Sequence, residues 1–363
     1  MKRTMRAPSQ STCKGSQCSS KSLDSFPITC KEQDVSRDWA LIRSLESNQL
    51  ISGQVRAGQV RSAVVVIIGS HKPVFENMTD KKFVDFRANF PALDKHLLAP
   101  HKMALVLLYD FPANSGHFLH LREAIHNLSW TRPVSTDTAP DGEWRSPLGS
   151  RLLVKGRSFL LPEYIQRKTD LLDRPDWLGC AGSRLDVSYN LYSGAAYGHH
   201  IFFEPILADN FDYVLKVDLD IRFLEQAPEA PGDLMHRQGC LFLHSQIKNR
   251  DNDCQDGAFE ATTAFASIVG EEPASARHRW CREIDYFYGN FIGFKMAFFS
   301  SPAQLYFSRW IYECVEDGYF RRRWGDQAAP PQKLCLVRDI EDLTTSVDIC
   351  DLQEWRNTVF KHK

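Results

Sequence analysis

The chain has 363 residues, 43% of them hydrophobic and 25% charged, which is ordinary globular usage and excludes wholesale disorder, collagen-like repeats and a coiled-coil rod. Its 44 Lys plus Arg face 45 Asp plus Glu, for a formal net charge of -1, so no global signature of nucleic-acid binding is present. The length buries a sizeable core without needing disulfides or metal to fold, and at roughly 150 residues per domain it corresponds to one or two domains.

Residues 1–60 differ from the rest. Ser9 to Ser25 is rich in Ser, Lys, Gln and Cys with little apolar content, so burial cannot offset its ordering entropy, and the segment reads as disordered or stem-like. Trp39 to Ile51 has some helical patterning and is the part of this segment expected to pack on the domain. The start, Met1-Lys2-Arg3-Thr4-Met5-Arg6, is basic, but no apolar run follows it and no signal peptide is visible. No run approaches the ~18 apolar residues of a membrane span. Two expectations stay open: a soluble cytoplasmic protein, or one whose anchor lies upstream.

The ordered part, 61–363, reads as one domain. Ala63 to Ile68 is a continuous β-branched run, as in a central parallel strand buried on both faces. Gly69-Ser70 turns the chain, and Thr79 is placed to cap a helix reaching Phe90. Met103 to Tyr109 is a second buried strand ending at Asp110, and Gly116 to Leu128 a helix. Ser129 to Ser150 is rich in Pro, Thr, Gly and Asp and reads as a loop. Helices are expected over Pro162 to Leu172 and Asp186 to Phe202, strands over Tyr213 to Val217 and Cys240 to His244, and helices over Ala258 to Val269 and Pro302 to Asp317. Strands alternating with helices argue an α/β sheet, mainly parallel and flanked by helices.

The 10 cysteines are Cys13, Cys18, Cys30, Cys180, Cys240, Cys254, Cys281, Cys314, Cys335 and Cys350. An even count permits pairing, and buried thiols account for it equally well. No Cys-x-x-Cys pair supports a zinc ribbon or a redox motif. Two sequons occur, Asn77-Met78-Thr79 and Asn127-Leu128-Ser129, a motif short enough to recur by chance.

The most informative stretch runs from Asp212 to Phe223, where the apolar strand Tyr213 to Val217 ends in Asp218-Leu219-Asp220. Strand side chains alternate, so Asp218 and Asp220 point to the same face. Carboxylates at the end of a buried strand sit where open α/β sheets place ligands. Hard oxygen ligands suit Mn²⁺ or Mg²⁺ bridging a diphosphate, an arrangement of nucleotide-sugar glycosyltransferases; a solvated turn is the bland alternative. Downstream lie Tyr286-Phe287-Tyr288-Gly289-Asn290-Phe291-Ile292-Gly293-Phe294 and Arg321-Arg322-Arg323-Trp324-Gly325-Asp326-Gln327. The first reads equally as an acceptor pocket, with Asn290 as donor and acceptor, or as a core strand. The chain also holds 23 Phe, 11 Tyr and 8 Trp, many of them between Tyr286 and Trp324, where they would flank a sugar site or fill a core.

Together, Trp177 to Phe223 and Tyr286 to Leu336 resemble the fungal α-1,2-mannosyltransferases of glycosyltransferase family fifteen. The matching features are Ser188-Tyr189, then Phe202-Phe203-Glu204-Pro205, the Asp218 to Phe223 run, Asn290-Phe291-Ile292-Gly293, Ala297-Phe298-Phe299-Ser300-Ser301 and Arg323-Trp324-Gly325-Asp326-Gln327. The resemblance implies a GT-A (Rossmann-like) fold and a retaining, metal-dependent transferase. Its donor would be GDP-mannose, its acceptor a glycan or glycoconjugate, and its compartment the Golgi lumen. Asp218 and Asp220 would meet the metal and diphosphate, with Tyr189 near the donor. The chain departs from the family at Ile292, where the family has Glu, and near Pro330, where it has His.

The resulting expectation is a hexosyltransferase. Asp218 and Asp220 hold the ion, Gly69 and Ser70 approach the nucleotide, and Asp110 contacts base or ribose. Asn290, Trp324 and Asp326 face the sugar or acceptor, and stabilisation of the departing diphosphate carries catalysis. Ile292 motivates a catalytically inactive nucleotide- or sugar-binding protein as the alternative. A nucleotidyltransferase is disfavoured, because Gly69-Ser70-His71-Lys72-Pro73 has a single Gly and a single Lys.

Overall fold

The computed structural model describes residues 30–49, 60–70, 76–111, 115–132, 141–157, 196–248, 257–271, 286–287, 289–315, 329–334 and 349–362. The β-branched run forms strand β1, Ser62–Ser70. Its alternate residues feed two cores: Val64, Val66 and Ile68 join one cluster, and Ala63, Val65 and Ile67 the other. A strand buried on both faces needs covering layers on both, and the chain supplies them.

On one face lie α2, Glu76–Leu93, and α3, Gly116–Asn127. They bring Phe83, Phe86 and Phe90, then Phe118, Leu121 and Ile125, into the first cluster. The helix expected to start at Thr79 begins at Glu76, so Thr79 is not its cap. The cap of α3 is Ser115, whose Oγ accepts from the Phe118 amide at 3.2 Å. On the other face pack Ala196, Tyr197, Ile201 and Phe202, the short helix α4, Pro205–Ala208, and later segments. The expected helix over Asp186 to Phe202 is described only from residue 196, and the one over Pro162 to Leu172 lies outside the described residues.

The other strands are β2, Ala104–Asp110; β3, Gly142–Arg145; β4, Arg151–Gly156; β5, Tyr213–Val217; β6, Ile221–Phe223; β7, Phe242–His244; β8, Ile247–Lys248; β9, Tyr286–Phe287; β10, Phe291–Lys295; β11, Ile349–Asp351; and β12, Phe360–His362. The eight-stranded sheet has the order β11-β7-β10-β5-β1-β2-β4-β3. Strands β5, β1, β2 and β4 run parallel, while β10 is antiparallel to β5 and β7, and β3 to β4. The sheet is therefore mainly parallel, with antiparallel insertions. Strand β3 lies in the stretch read as a loop. Among the described residues it is a short edge strand paired in the sheet with β4 alone, which a Pro- and Gly-rich stretch tolerates.

The remaining helices are α5, Pro231–Gln238; α6, Ala258–Ile268; α7, Met296–Phe299; α8, Pro302–Cys314; and α9, Ala329–Leu334. Helix α1, Glu32–Gln49, falls inside the segment expected to be disordered or stem-like. Its Val35 and Trp39 pack with Phe265 of α6 and Phe307 and Trp310 of α8 in a third cluster. Cys30 is disulfide-bonded to Cys314, and Cys240 to Cys350. Among the described residues, no helix is long and apolar enough to cross a membrane.

The described aromatics between Tyr286 and Trp310 settle largely into core. Phe291, Phe294, Phe299 and Phe307 are fully buried, each contributing roughly 1.5–3 kcal/mol by burial. Gly293 fits this reading. A Cβ there would lie 2.8 Å from Leu215 Cδ2 and 3.1 Å from Met235 Sδ, so glycine lets α5 approach β10. The segment from Phe291 is thus a core strand, not a pocket wall.

One core member is an amine. Lys333 of α9 is 1% exposed, has no hydrogen-bond partner for Nζ among the described residues, and lies 3.7 Å over the Phe202 ring. Burial pushes its pKa well below the usual lysine value. An unbonded polar group in an apolar site costs about 1–3 kcal/mol. Lys333→Met keeps the length and removes the amine, so it is expected to raise the unfolding free energy by about that amount in urea titration. A fall would show that Nζ has a stabilising role.

Candidate functional site

From β1 the chain passes to β2 and β4 on one side, whereas β5 adds on the other. The order therefore reverses between β1 and β5, and ligands of open α/β sheets bind at the carboxyl ends beside such a reversal. Ser70 ends β1, Asp110 ends β2 in register with it, and Asp218 follows the last residue of β5. Gly69, Ser70, Asp110 and Asp218 are thereby gathered on one edge of the sheet. Asp110 is buried.

Pairing of β1 with β5 ends at Val65 and Lys216. Just beyond, the Ile67 amide donates to the Tyr197 hydroxyl at 2.7 Å. Tyr197 stands on a helical turn at 196–198 and is 5% exposed. Burial, reinforced by the Asp218 charge and opposed by Lys216, holds its hydroxyl pKa above the usual tyrosine value, so it is neutral at physiological pH.

Asp218 and Asp220 lie in a turn, not on a continuing strand. The Ile221 amide donates to the Asp218 carbonyl at 3.0 Å, closing a four-residue turn. Strand alternation thus does not orient the pair. Leu219 between them is 7% exposed and belongs to the core, and its carbonyl accepts from Asn89 Nδ2 at 2.6 Å. A core plug fixes the turn and leaves both carboxylates partly exposed.

Lys216 is the residue that sequence reading passed over. Its side chain is 4% exposed, its Nζ lies 2.6 Å from Asp218 Oδ1, and it donates to the Gly289 carbonyl. The same ammonium lies 5.1 Å from the centre of the Tyr197 ring. A lysine inside the apolar strand Tyr213 to Val217 was the available signal, because a buried ammonium requires a carboxylate partner. Arg157, just after β4, is a second cation at this edge, with Nε 2.9 Å from the nearly buried Glu204.

Asn290 meets Asp218 through its backbone. Its carbonyl accepts from the Asp218 amide at 2.8 Å, while its Oδ1 accepts from Ser245 Oγ at 3.1 Å. With a side chain 4% exposed, Asn290 braces the turn rather than facing a sugar. Ile292 is fully buried in β10 opposite Lys216. Tyr189, Trp324 and Asp326 lie outside the described residues.

Among the described residues, no group of three or more His, Cys, Asp or Glu is arranged to hold a metal. The donor set still fits a hard divalent ion of the Mg²⁺ type, which takes one or two carboxylates and completes its shell with substrate phosphates and water. Asp218 and Asp220 are the two carboxylates on this turn that would meet such an ion.

Behind the site, His199 is buried. Its Nδ1 is 2.9 Å from Ser308 Oγ, and its ring stacks on Tyr312 at 4.1 Å, while His200 Nε2 is 3.0 Å from the Tyr312 hydroxyl. Burial first, then the charges of His200, Lys333 and Arg309, push the His199 pKa well below the usual value. His244 is also lowered, by burial. The unfolded chain takes up these protons near pH 6.5, whereas the folded chain resists until lower pH, so acid favours unfolding. Stability is expected to fall progressively from about pH 6.5 downward, with His199→Gln flattening the melting-temperature profile. An unchanged profile in that variant would contradict the assignment.

No protein-family model matches the chain, and no curated protein matches its sequence. Solved structures do match its fold. Core-mannan synthase A (CmsA/Ktr4) from Aspergillus fumigatus, in an Mn/GDP form, is similar at a TM-score of 0.54 and 10% identity, over 83% of this chain and 74% of that one. The mannosyltransferase Ktr4p from S. cerevisiae, in complex with GDP, is similar at a TM-score of 0.50 and 13% identity, over 86% of this chain and 80% of that one. At these identities the likeness is one of fold: this chain has the GT-A fold, shared with both of these proteins.

Proposed function

We propose that the protein is a metal-dependent glycosyltransferase, transferring a hexose from a nucleoside-diphosphate sugar to a glycan or glycoconjugate. The observation that carries this reading is the turn holding Asp218 and Asp220 at the carboxyl end of β5, beside the strand-order reversal. Mannose from GDP-mannose, transferred with retention, is the favoured chemistry because the fold neighbours are mannosyltransferases in GDP forms.

Asp218 and Asp220 would hold Mn²⁺ or Mg²⁺, which supplies positive charge to a leaving diphosphate. The chain's own contribution is positioning. Leu219 and Asn290 fix the turn, and Lys216 holds one oxygen of Asp218. Gly69, Ser70 and Asp110 would line the nucleotide end, and the family resemblance gives Tyr189 a donor role and Trp324 and Asp326 a sugar or acceptor role. Arg157 adds a guanidinium to the same edge. We place these parts in one GT-A domain that takes in α1, behind a polar N-terminal segment. The compartment of this reading is the Golgi or secretory lumen, which the Cys30–Cys314 and Cys240–Cys350 disulfides support, since such bonds persist in an oxidising environment.

The test is transfer and hydrolysis with a panel of GDP- and UDP-sugars and Mn²⁺, with and without glycan acceptors. Turnover of one donor, lost on chelation, is the expected result. Ile292 favours a second reading, a non-catalytic nucleotide- or sugar-binding protein, since a fully buried isoleucine replaces the family's glutamate. Calorimetric nucleotide binding without turnover of any donor would select it.

A further inference from the structure

From the position of one unused motif, we infer that Asn127 is an N-glycosylation site. The inference rests on the luminal part of the functional reading, not on the donor chemistry. Asn127-Leu128-Ser129 spans the C-terminal end of α3, and both Asn127 and Ser129 are exposed. The chain reverses there. The Ser129 amide donates to the His126 carbonyl at 2.9 Å, the Trp130 amide to the Ile125 carbonyl at 3.2 Å, and Ser129 takes a left-handed φ of 54°. Trp130 is buried, which anchors the turn from below. Glycan transfer acts on the entering chain, so the fold must then accommodate a bulky, hydrated group, and an exposed helix end does so.

Two further observations support the inference. The Cys30–Cys314 and Cys240–Cys350 disulfides suit an oxidising compartment, the kind in which such transfer occurs. The topology also keeps a glycan away from the candidate site. Helix α3 runs back from the carboxyl end of β2, and Thr131 just after the sequon bridges Arg145, which pairs with Arg151 at the amino end of β4. Asn127 thus lies at the edge of the sheet opposite Asp218. The covalent step joins the Asn127 carboxamide nitrogen to the anomeric carbon of a lipid-diphosphate-linked oligosaccharide. The carbon–phosphate-oxygen bond breaks, the lipid diphosphate leaves, and a base of the transferring enzyme takes the amide proton.

The experiment directs the full chain, with an added secretory signal, into eukaryotic cells in an Asn77→Gln background so that one sequon is read. A glycosidase-sensitive mobility shift is expected, with conversion of Asn127 to Asp on deglycosylation seen by mass spectrometry. Asn127→Gln and Ser129→Ala should lose the shift completely, Ser129→Thr should keep it, and GDP binding should be unchanged in all three. An unmodified Asn127 in a chain whose Cys30–Cys314 bond has formed overturns the inference and leaves the transferase reading intact. A chain with reduced cysteines overturns the luminal reading and the inference with it.

Discussion

Asp220→Ala is expected to lower Mn²⁺-dependent transfer by roughly a hundred- to a thousandfold, the scale for losing one stabiliser of departing charge. The residue sits in the turn that follows β5, whose backbone is held by contacts of the neighbouring residues. Leu219 is held in the core and by Asn89, and the Asp218 backbone by Asn290 and Ile221. The variant should therefore keep the wild-type melting temperature and lose metal-dependent turnover. Full activity in Asp220→Ala would remove the carboxylate pair from the account. Loss of fold would be separated from loss of chemistry by Asp220→Asn, which preserves shape and removes the charge.

Lys216→Met is expected to have the second-largest effect, and on different quantities. Removing one partner of a fully buried ion pair costs about 3–5 kcal/mol, because the other charge is left unpaired. The Asp218 side chain is 27% exposed, so solvent recovers part of that loss, and a fall of about 1–3 kcal/mol in unfolding free energy is expected. The ammonium also repels any cation held by Asp218. Without it, the gain in melting temperature on adding Mn²⁺ and GDP should increase, even though the metal-free protein is weaker. Lys216→Arg keeps the charge and should restore both values in part. A Lys216→Met variant with unchanged stability and unchanged Mn²⁺ response would mean that the contact with Asp218 does no positioning.

What could be read in advance follows a physical division. Strands β1, β2 and β5 were visible because strands covered on both faces are continuous apolar runs, and Val64 to Ile68 shows that pattern without interruption. Edge strand β3 lacks it and hides in a turn-rich stretch. The Asp218–Asp220 pair was found from its position after a buried strand, yet its orientation comes from a turn, which depends on contacts to Asn290 and Asn89 far away in the chain. Asn290 illustrates the same limit. Its amide chemistry was recognised, but burial against Ser245 gives it a bracing role. Lys216 shows in the sequence as a charge inside an apolar strand, which calls for a carboxylate partner, but only the fold identifies that partner as Asp218. The disulfides were beyond reach for a similar reason, since Cys30 and Cys314 are 284 residues apart in sequence. The aromatic excess also changes meaning, because Gly293 and the buried Phe291 and Phe294 belong to a strand squeezed between β5, β7 and α5.

The central claim is that a nucleoside diphosphate and a divalent ion bind together at the carboxyl edge of the sheet. Calorimetric titration of GDP, with and without Mn²⁺, into wild type and into Asp218→Asn/Asp220→Asn measures it directly. The account predicts GDP binding in wild type that tightens at least tenfold with Mn²⁺, a coupling of about 1.4 kcal/mol, and no Mn²⁺ effect in the double variant. Equal Mn²⁺ enhancement in both proteins would contradict it.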